Sequence, residues 1–189
     1  SVIEPGGRRC ACGVAGCAEA YASGPSMGRI AADLALGRDA GLGSLEPRGL
    51  GESLEGSALA ARARAGEQLN AHDVYAAYAR GDSLAKLVDS IAAAALARAA
   101  AIGMALLAPD TLVLGGGVIE GAPHLCSRVQ ELLPKLVYHD GWKDCRVEKA
   151  RFSHKAGLYG AAFYGASQVE DPEGLAALAT KALACFASP

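Results

Sequence analysis

Apolar residues recur at helical spacing in several stretches of the chain. After Ser26, a residue type that favours a helix N-cap, Met27, Ile30 and Leu34 follow at intervals of three or four residues. This spacing places the three side chains on one face of a helix, because an α-helix turns once every 3.6 residues or so. The pattern therefore predicts an amphipathic helix that is capped by Ser26 and continues through Leu36.

A longer apolar stretch begins after Asp82 and ends near Leu107, just before Pro109. Its most apolar part, residues 90–107, is rich in alanine and carries Arg98, so it predicts a buried core helix rather than a membrane span. The next run, residues 111–114, is short, continuous and apolar, which is typical of a buried strand. Helices that alternate with such strands indicate the α/β class.

The remaining patterns complete this order of elements. Residues 1–7 resemble the end of a strand and a turn, and residues 37–50 form a glycine-rich stretch without a period, which predicts a loop or a lid-like insertion. No internal repeat is visible, and a chain of 189 residues usually forms one domain. Further helices are predicted over 18–22, 57–65, 70–80, about 122–133, 155–167 and about 173–186, and a further strand over 145–150.

Composition and charge exclude several classes of function. Hydrophobic residues make up 51% of the chain and the formal net charge is -2, which supports a packed core and argues against disorder. There is no run of lysine or arginine and only 5% of residues are aromatic, so neither nucleic acid nor a membrane is an expected partner. No secretory signal is visible, and we expect a cytoplasmic protein. The opening at Ser1 resembles the middle of a protein, so we expect further sequence upstream.

Three of the six cysteines, Cys10, Cys12 and Cys17, lie within one short glycine-rich stretch. Thiols so close in sequence are poorly placed to bridge each other and suit a metal better, with Zn²⁺ the natural ion because it takes thiolates tetrahedrally. A reduced turn without metal is the alternative. A closed zinc site needs a fourth ligand. No histidine of the chain has a suitable spacing, so we expect that ligand upstream of Ser1.

The other cysteines and the histidines carry no comparable signal. We predict that the isolated cysteines are small buried residues. We also predict that no histidine is a catalytic base, since none has a carboxylate or cysteine partner at an informative spacing. These residues are Cys126, Cys145, Cys185, His72, His124, His139 and His154.

Two further features could carry binding chemistry. Glu19 follows the last clustered cysteine by two residues, where a fixed backbone would let its carboxylate accept two sugar hydroxyls. Its alternative role is that of an acidic residue favoured at a helix N-terminus. Gly115, Gly116 and Gly117 follow the predicted buried strand, where missing side chains would let a nucleotide approach the backbone. A tight strand-to-helix turn is the alternative there.

Three segments combine into a more specific signal. Residues 10–25 read CACGVAGCAEAYASGP, residues 107–118 read LAPDTLVLGGGV, and residues 157–162 read GLYGAA. Together they resemble the ROK family of bacterial sugar kinases and sugar-responsive repressors, whose motifs are a CxCGxxGCxE knuckle, PDxxVLGGGV and a closing GLxGAA helix. The likeness covers about residues 1–167 in order, and the cysteine knuckle is its specific part.

This resemblance implies a fold, cofactors and partners. The family fold is an actin-like, ribonuclease H-like ATPase with two lobes around a cleft, which phosphorylates sugars from ATP with Mg²⁺. The likeness assigns a structural zinc to Cys10, Cys12 and Cys17, completed in the family by an upstream histidine. It assigns sugar binding to Glu19 and adenosine and phosphate to the glycines at 115–117. By family analogy a homodimer is expected.

The departures from the family pattern narrow the expectation. The N-terminal phosphate loop, the Asn-Asp pair that carries the catalytic base, the second phosphate loop and the Glu-x-x-Gly-His segment have no counterpart in the chain. Residues 1–167 are therefore expected to be the C-terminal lobe, with the knuckle at 10–19. Residues 168–189 are expected to form a helix that packs back on an N-terminal lobe outside the chain.

The expected function follows from the same resemblance. It is ATP-dependent phosphorylation of a hexose of the glucose type by the full protein, with no catalytic base in the chain and no activity for the chain alone. The alternative is the sugar-sensing domain of a ROK transcriptional repressor, which keeps the knuckle and adds an N-terminal helix-turn-helix.

Overall fold

The computed structural model describes residues 1–47, 54–138, 140–152 and 156–168, together with residues 174, 176, 177, 180 and 181. The chain divides into two compact units, Ser1–Lys149 and Ala150–Pro189. The first unit contains α1 (Glu19–Ala22), α2 (Gly24–Ala35), α3 (Ala58–Arg64), α4 (Ala71–Tyr78), α5 (Ser83–Leu107), β1 (Thr111–Leu114), α6 (Gly117–Gly121), α7 (His124–Leu132) and β2 (Arg146–Lys149), with short 3₁₀ helices at Gly43–Leu45, Leu133–Lys135 and Asp140–Lys143. The second unit contains α8 (Ala156–Ser167).

These elements confirm the α/β class and most of the predicted order. The predicted strand over 145–150 is β2, and the helices predicted over 57–65, 70–80 and 155–167 are α3, α4 and α8. The helix predicted over 122–133 is α7, but the chain also forms the short α6 directly after the glycines, which the pattern did not indicate. Most of the helix predicted over 173–186 lies outside the described residues.

Two predictions near the N-terminus are wrong in detail. The expected strand end over residues 1–7 is only an isolated antiparallel bridge between Val2 and Cys17. Helix α2 starts earlier than expected, with Ser23 at the N-cap position and Pro25 in its first turn, because proline is well accommodated there. Ser26 is instead buried inside the helix, where its hydroxyl accepts hydrogen bonds from the side chains of Ser23 and Arg29.

Helix α5 is the central element of the first unit. Asp82 caps it by accepting a hydrogen bond from the backbone of Ala85, as the sequence predicted. By length and composition α5 could cross a membrane. However, its apolar face packs against α1, α2, α4 and α7, and the residues buried along it are mostly alanine. Small side chains let several neighbours approach one axis, so α5 serves as a core helix.

The sheet consists of β1 and β2, which pair in parallel. Thr111 lies opposite Arg146 and Leu114 opposite Lys149. Helix α7 makes the crossover, and its Gln130 side chain donates to the carbonyl of Cys145 and accepts from the backbone N–H of Val147. Val113 is 61% exposed on one face of this sheet.

The glycine-rich stretch predicted as a loop or a lid-like insertion is anchored to the core over residues 37–47. Ala40, Leu42 and Leu45 are buried in the main hydrophobic cluster. Arg98 of α5 donates hydrogen bonds to the hydroxyl and the carbonyl of Ser44. The prediction of a loop is confirmed for the described part, which contains only a short 3₁₀ helix, whereas its buried side chains and helix-anchored backbone argue against the lid-like alternative. Residues 48–50 of the predicted loop lie outside the described residues.

The capping box predicted at the start of α4 is present. The Asn70 side chain accepts hydrogen bonds from the backbone of His72 and Asp73, and the Asp73 carboxylate accepts one from the backbone of Asn70. The segment Leu69–Asn70 passes directly over Gly28 of α2, where a Cβ atom would overlap the backbone of both residues. The close approach of α2 to the start of α4 therefore depends on this glycine.

We predict that Gly28→Ala lowers the free energy of unfolding by about 1–3 kcal/mol or more, because the added methyl group must displace a backbone segment. Gly103→Ala is the matched control, since a Cβ on Gly103 of α5 would meet nothing within 4 Å. That substitution is expected to stabilise by up to about 1 kcal/mol through helix propensity. Urea unfolding measures both, and equal effects of the two variants would contradict the packing argument.

Candidate functional site

The clustered cysteines lie on a tight turn that the backbone holds closed. The N–H of Cys10 donates to the carbonyl of Val14 at 2.9 Å, and the N–H of Gly16 donates to the carbonyl of Arg8 at 2.8 Å. Gly16 adopts a φ of 83° and lies so close to the carbonyl of Glu4 that a Cβ atom would overlap it. The turn thus requires a glycine at position 16, for conformation and for space.

This turn brings the three predicted thiols together. The Sγ atoms of Cys10, Cys12 and Cys17 all lie within 4.8 Å of one another, and those of Cys12 and Cys17 are 3.7 Å apart. In a tetrahedral zinc–thiolate site, with bonds of roughly 2.3 Å, neighbouring sulfur atoms are separated by roughly 3.8 Å. The donor set therefore has the chemistry and the spacing of three corners of a zinc site.

The thiols also influence each other's ionisation. A hydrogen bond from the backbone of Val14 lowers the pKa of Cys12, whereas desolvation and then the neighbouring Cys12 raise the pKa of Cys17 to about 11. One thiolate in the cluster therefore opposes the formation of the next. A bound cation reverses this opposition, because metal coordination deprotonates a thiol. This electrostatic balance fits a cation between the sulfur atoms.

Glu19 begins α1 directly after the thiol turn. Its carboxylate accepts a hydrogen bond from the Sγ of Cys10, with 3.9 Å between the sulfur and Oε2. Helix α1 has only four residues, so the helix dipole gives little reason for an acid at its start. The position of Glu19 is instead set by the turn that the cysteines occupy.

Two residues that sequence reasoning missed hold this turn in place. The buried Tyr21 hydroxyl accepts a hydrogen bond from the backbone of Arg8 at 2.7 Å and donates one to the carbonyl of Gly41 at 3.0 Å. The Arg8 guanidinium pairs with Asp33 of α2 at 2.7 Å and donates to the carbonyl of Ala40. Tyr21 lies in the quoted segment 10–25 and Arg8 just before it, but nothing in the sequence indicates their hydrogen-bond partners, which lie 13 to 32 residues away.

The three glycines form the second candidate site. Gly116 has a φ of 98°, so the turn between β1 and α6 needs a glycine there. A Cβ atom on Gly116 or Gly117 would meet nothing within 4 Å, so close packing inside the protein does not explain these residues. The glycines face a cavity of about 510 Å³, which is also lined by Ala22, Ser23, Gly24, Pro25, Asn70, Ala71, His72 and Val118.

A third polar cluster lies around Asp89 of α5. Its carboxylate is fully buried and accepts hydrogen bonds from Nε2 of His124 at 2.8 Å and from Arg128 of α7 at 2.7 Å. No informative spacing in the sequence indicated this carboxylate partner of His124, because the fold brings together residues 35 positions apart. His139 and His154 lie outside the described residues.

The isolated cysteines agree with their prediction as far as the structure describes them. Cys126 and Cys145 are free and buried. Burial raises the pKa of both thiols. Cys185 lies outside the described residues.

Comparison with known proteins gives a consistent result. The sequence model described as the ROK family matches residues 1–167. The solved ROK hexokinase from Thermus thermophilus is 26% identical to this chain, with a TM-score of 0.60. The match covers 86% of this chain and 44% of the hexokinase. The ROK glucokinase from Streptomyces griseus, solved with glucose and AMPPNP, is 25% identical to this chain, with a TM-score of 0.62. The match covers 86% of this chain and 48% of the glucokinase.

A regulator resembles the chain equally well. A ROK family transcriptional regulator, a homologue of the E. coli MLC protein, is 28% identical with a TM-score of 0.62, and 86% of this chain covers 36% of it. The chain thus spans less than half the length of each of these three relatives. No curated protein matches the chain significantly. These neighbours imply the actin-like ATPase fold and leave the choice between kinase and regulator open.

We predict that Tyr21→Phe lowers the free energy of unfolding by about 1–3 kcal/mol, because a part-buried backbone N–H and a part-buried carbonyl each lose their partner. Tyr138→Phe is the control, since Tyr138 is fully exposed and its change should stay within about 0.5 kcal/mol. Thermal or urea unfolding compares the two variants. A Tyr21→Phe variant as stable as the control would show that the hydroxyl does not hold the turn.

Proposed function

Because the chain belongs to the ROK family, we propose that it forms the C-terminal lobe of an ATP-dependent hexose kinase of the glucokinase type. The observation that carries the kinase over the regulator is the open glycine turn at Gly115–Gly117, which faces a cavity large enough for part of a nucleotide. A sugar-sensing domain needs a sugar pocket but no such nucleotide cavity. The glucokinase neighbour solved with glucose and AMPPNP supports both proposed ligands.

On the sugar side, we assign the thiols of Cys10, Cys12 and Cys17 to a structural zinc. When bound, the ion would stiffen the turn and neutralise the thiolates. The turn fixes the backbone of Glu19, whose carboxylate then accepts hydrogen bonds from two sugar hydroxyls and orients the sugar. The fourth zinc ligand is expected upstream of Ser1.

On the nucleotide side, the glycine turn offers backbone groups without side chains. Gly115, Gly116 and Gly117 would let the adenosine and phosphates of ATP approach the end of β1, opposite the start of α4. In the reaction, a sugar hydroxyl oxygen attacks the γ-phosphorus, the bond to the β-phosphate oxygen breaks, and ADP leaves. Mg²⁺ bound with ATP would supply positive charge beside the phosphates, and the hydroxyl proton would go to a carboxylate that we expect upstream of Ser1.

The remaining expectations complete this proposal. The protein would act in the cytoplasm and form a homodimer, as family analogy suggests, without a nucleic acid or a membrane as partner. Residues 168–189 would form a helix that packs on the N-terminal lobe. The chain alone would be inactive because it lacks the catalytic base.

The second candidate function is the sugar-sensing domain of a transcriptional repressor. The regulator neighbour favours it, since its identity of 28% and TM-score of 0.62 are as high as those of the kinases. The thiol turn and Glu19 would serve the same sugar-binding role there. The glycine cavity would then have no ligand.

A sugar panel with the full protein tests the two functions. We expect ATP-dependent phosphorylation of at least one hexose, measured as ADP release with glucose, allose, N-acetylmannosamine and fructose. No turnover with any sugar, together with binding to an operator DNA, would reject the kinase and establish the repressor. Neither activity would reject both functions.

We predict that Cys12→Ala and Glu19→Gln in the full protein weaken sugar binding more than ATP binding, because both act on the thiol turn and not on the glycine cavity. Loss of a charge-assisted hydrogen bond pair should weaken sugar binding by about 1.5–3 kcal/mol in Glu19→Gln. Calorimetry with glucose and AMPPNP measures the two affinities.

Metal analysis separates the two variants. Zinc content should fall in Cys12→Ala and stay near one ion per chain in Glu19→Gln. Cys126→Ala is the control, because this buried cysteine lies outside the turn and should leave zinc content and sugar affinity unchanged. Equal losses of sugar and ATP affinity in Cys12→Ala would contradict a local role, and zinc-free wild-type protein would contradict the metal site.

A further inference from the structure

Asp89 is the only acidic residue whose side chain is fully buried in the part of the chain that the structure describes. It lies in the middle of the alanine-rich α5, where an ionised carboxylate is unfavourable unless it is paired. Its two oxygens are satisfied separately, one by His124 and the other by Arg128. Both partners belong to the first turns of α7, so a buried charge fixes the position where α7 begins.

His124 also links the two elements, α4 and α6, whose residues line opposite sides of the glycine cavity. On one side, only Ala122 and Pro123 separate it from α6, which follows directly from the glycine turn. On the other side, its imidazole stacks on the ring of Tyr78, with centroids 5.1 Å apart, and contacts the edge of Tyr75 at 5.8 Å. Both tyrosines belong to α4.

The start of α4 forms the opposite wall of the cavity. Asn70 and His72 line it across from Gly116 and Gly117. A smaller cavity of about 330 Å³ between α4 and α6 is lined by residues that include Tyr75 and Gly117, so the two helices face each other beside His124. The separation of the two walls therefore depends on how firmly His124 is held.

The Asp89–His124 pair is surrounded by polar groups from α5, α7 and α4. From α5 the neighbours are Asp89 and Ser90, and from α7 the charged neighbour is Arg128, which donates to both of them. From α4 the Tyr75 hydroxyl is buried close to Asp89, but no described group meets it in hydrogen-bond geometry. Burial and then the charge of Asp89 raise the pKa of Tyr75. This hydroxyl therefore adds no charge beside Asp89.

We propose that Asp89 and His124 are positioning residues that set the width of the glycine cavity and thereby its affinity for nucleotide. The identity of the ligand, a nucleotide, rests on the proposed function. The mechanical link between the two walls does not. Neither residue is among those that line the cavity, so their effect passes through α4 and α6. The thiol turn lies outside this linkage, and sugar binding should be insensitive to it.

The test compares Asp89→Asn and His124→Gln in the full protein. Asp89→Asn keeps the side-chain shape and removes the charge, and His124→Gln removes the ring and its contacts with α4. Because a buried substitution in α5 could lower stability without any effect on the cavity, Val88→Ala is the matched control. Val88 is the neighbouring residue of α5 and is also fully buried, but it carries no charge.

We expect both variants to raise the KM for ATP and the Kd for AMPPNP roughly two- to thirty-fold, the range seen for residues that couple to a distant site. The KM for the hexose should not change. Amide hydrogen exchange should become faster at residues 70–78 and 115–121 and stay unchanged at residues 10–17. Val88→Ala should lower the melting temperature without these local effects.

The outcomes separate the inference from the proposed function. Equal changes in the ATP and hexose constants, or the same changes in Val88→Ala, would overturn the positioning role. If the wild-type protein binds no AMPPNP, the proposed function fails, and hydrogen exchange still decides whether the walls are linked. Unchanged exchange at residues 70–78 and 115–121 in both variants would overturn the link itself.

Discussion

The packing around α5 is the constraint on which both candidate sites depend. Its buried surface is mostly alanine, and two charged residues interrupt it, Asp89 and Arg98. Nine positions in an α-helix correspond to about 180° of rotation and roughly 14 Å of length. Arg98 therefore points to the other side of the helix, where it pairs with Glu4 beside the thiol turn. The single helix α5 thus positions both the thiol turn and the glycine cavity, through contacts on opposite sides.

Local signals allowed much of this arrangement to be predicted from sequence. The Asp82 cap, the Asn70–Asp73 capping box and the apolar run at 111–114 each act within a few residues, and the structure has α5, α4 and β1 where these signals indicated. The close spacing of the thiols also required only a short turn. The family motifs then identified the fold, because they combine several such local signals in one order.

What the sequence did not reveal depends mainly on contacts between distant parts of the chain. The pairing of Asp89 with His124 depends on the packing of α5 against α7 and has no sequence pattern. The anchoring of the segment 37–47 was not predictable either, because its three buried side chains and its hydrogen bonds from Arg98 depend on the folded core. The start of α2 is a local error: Ser26 has the chemistry of a cap, but Pro25 allows the helix to begin earlier.

The exposed face of the small sheet has a consequence for handling the protein. Parallel strands are normally covered on both faces, yet Val113 of β1 and Leu106 and Leu107 at the end of α5 are 61%, 76% and 79% exposed. An exposed apolar surface next to a two-stranded sheet promotes self-association when a polypeptide is produced at high concentration. Recombinant production of these residues at high concentration should therefore favour aggregation.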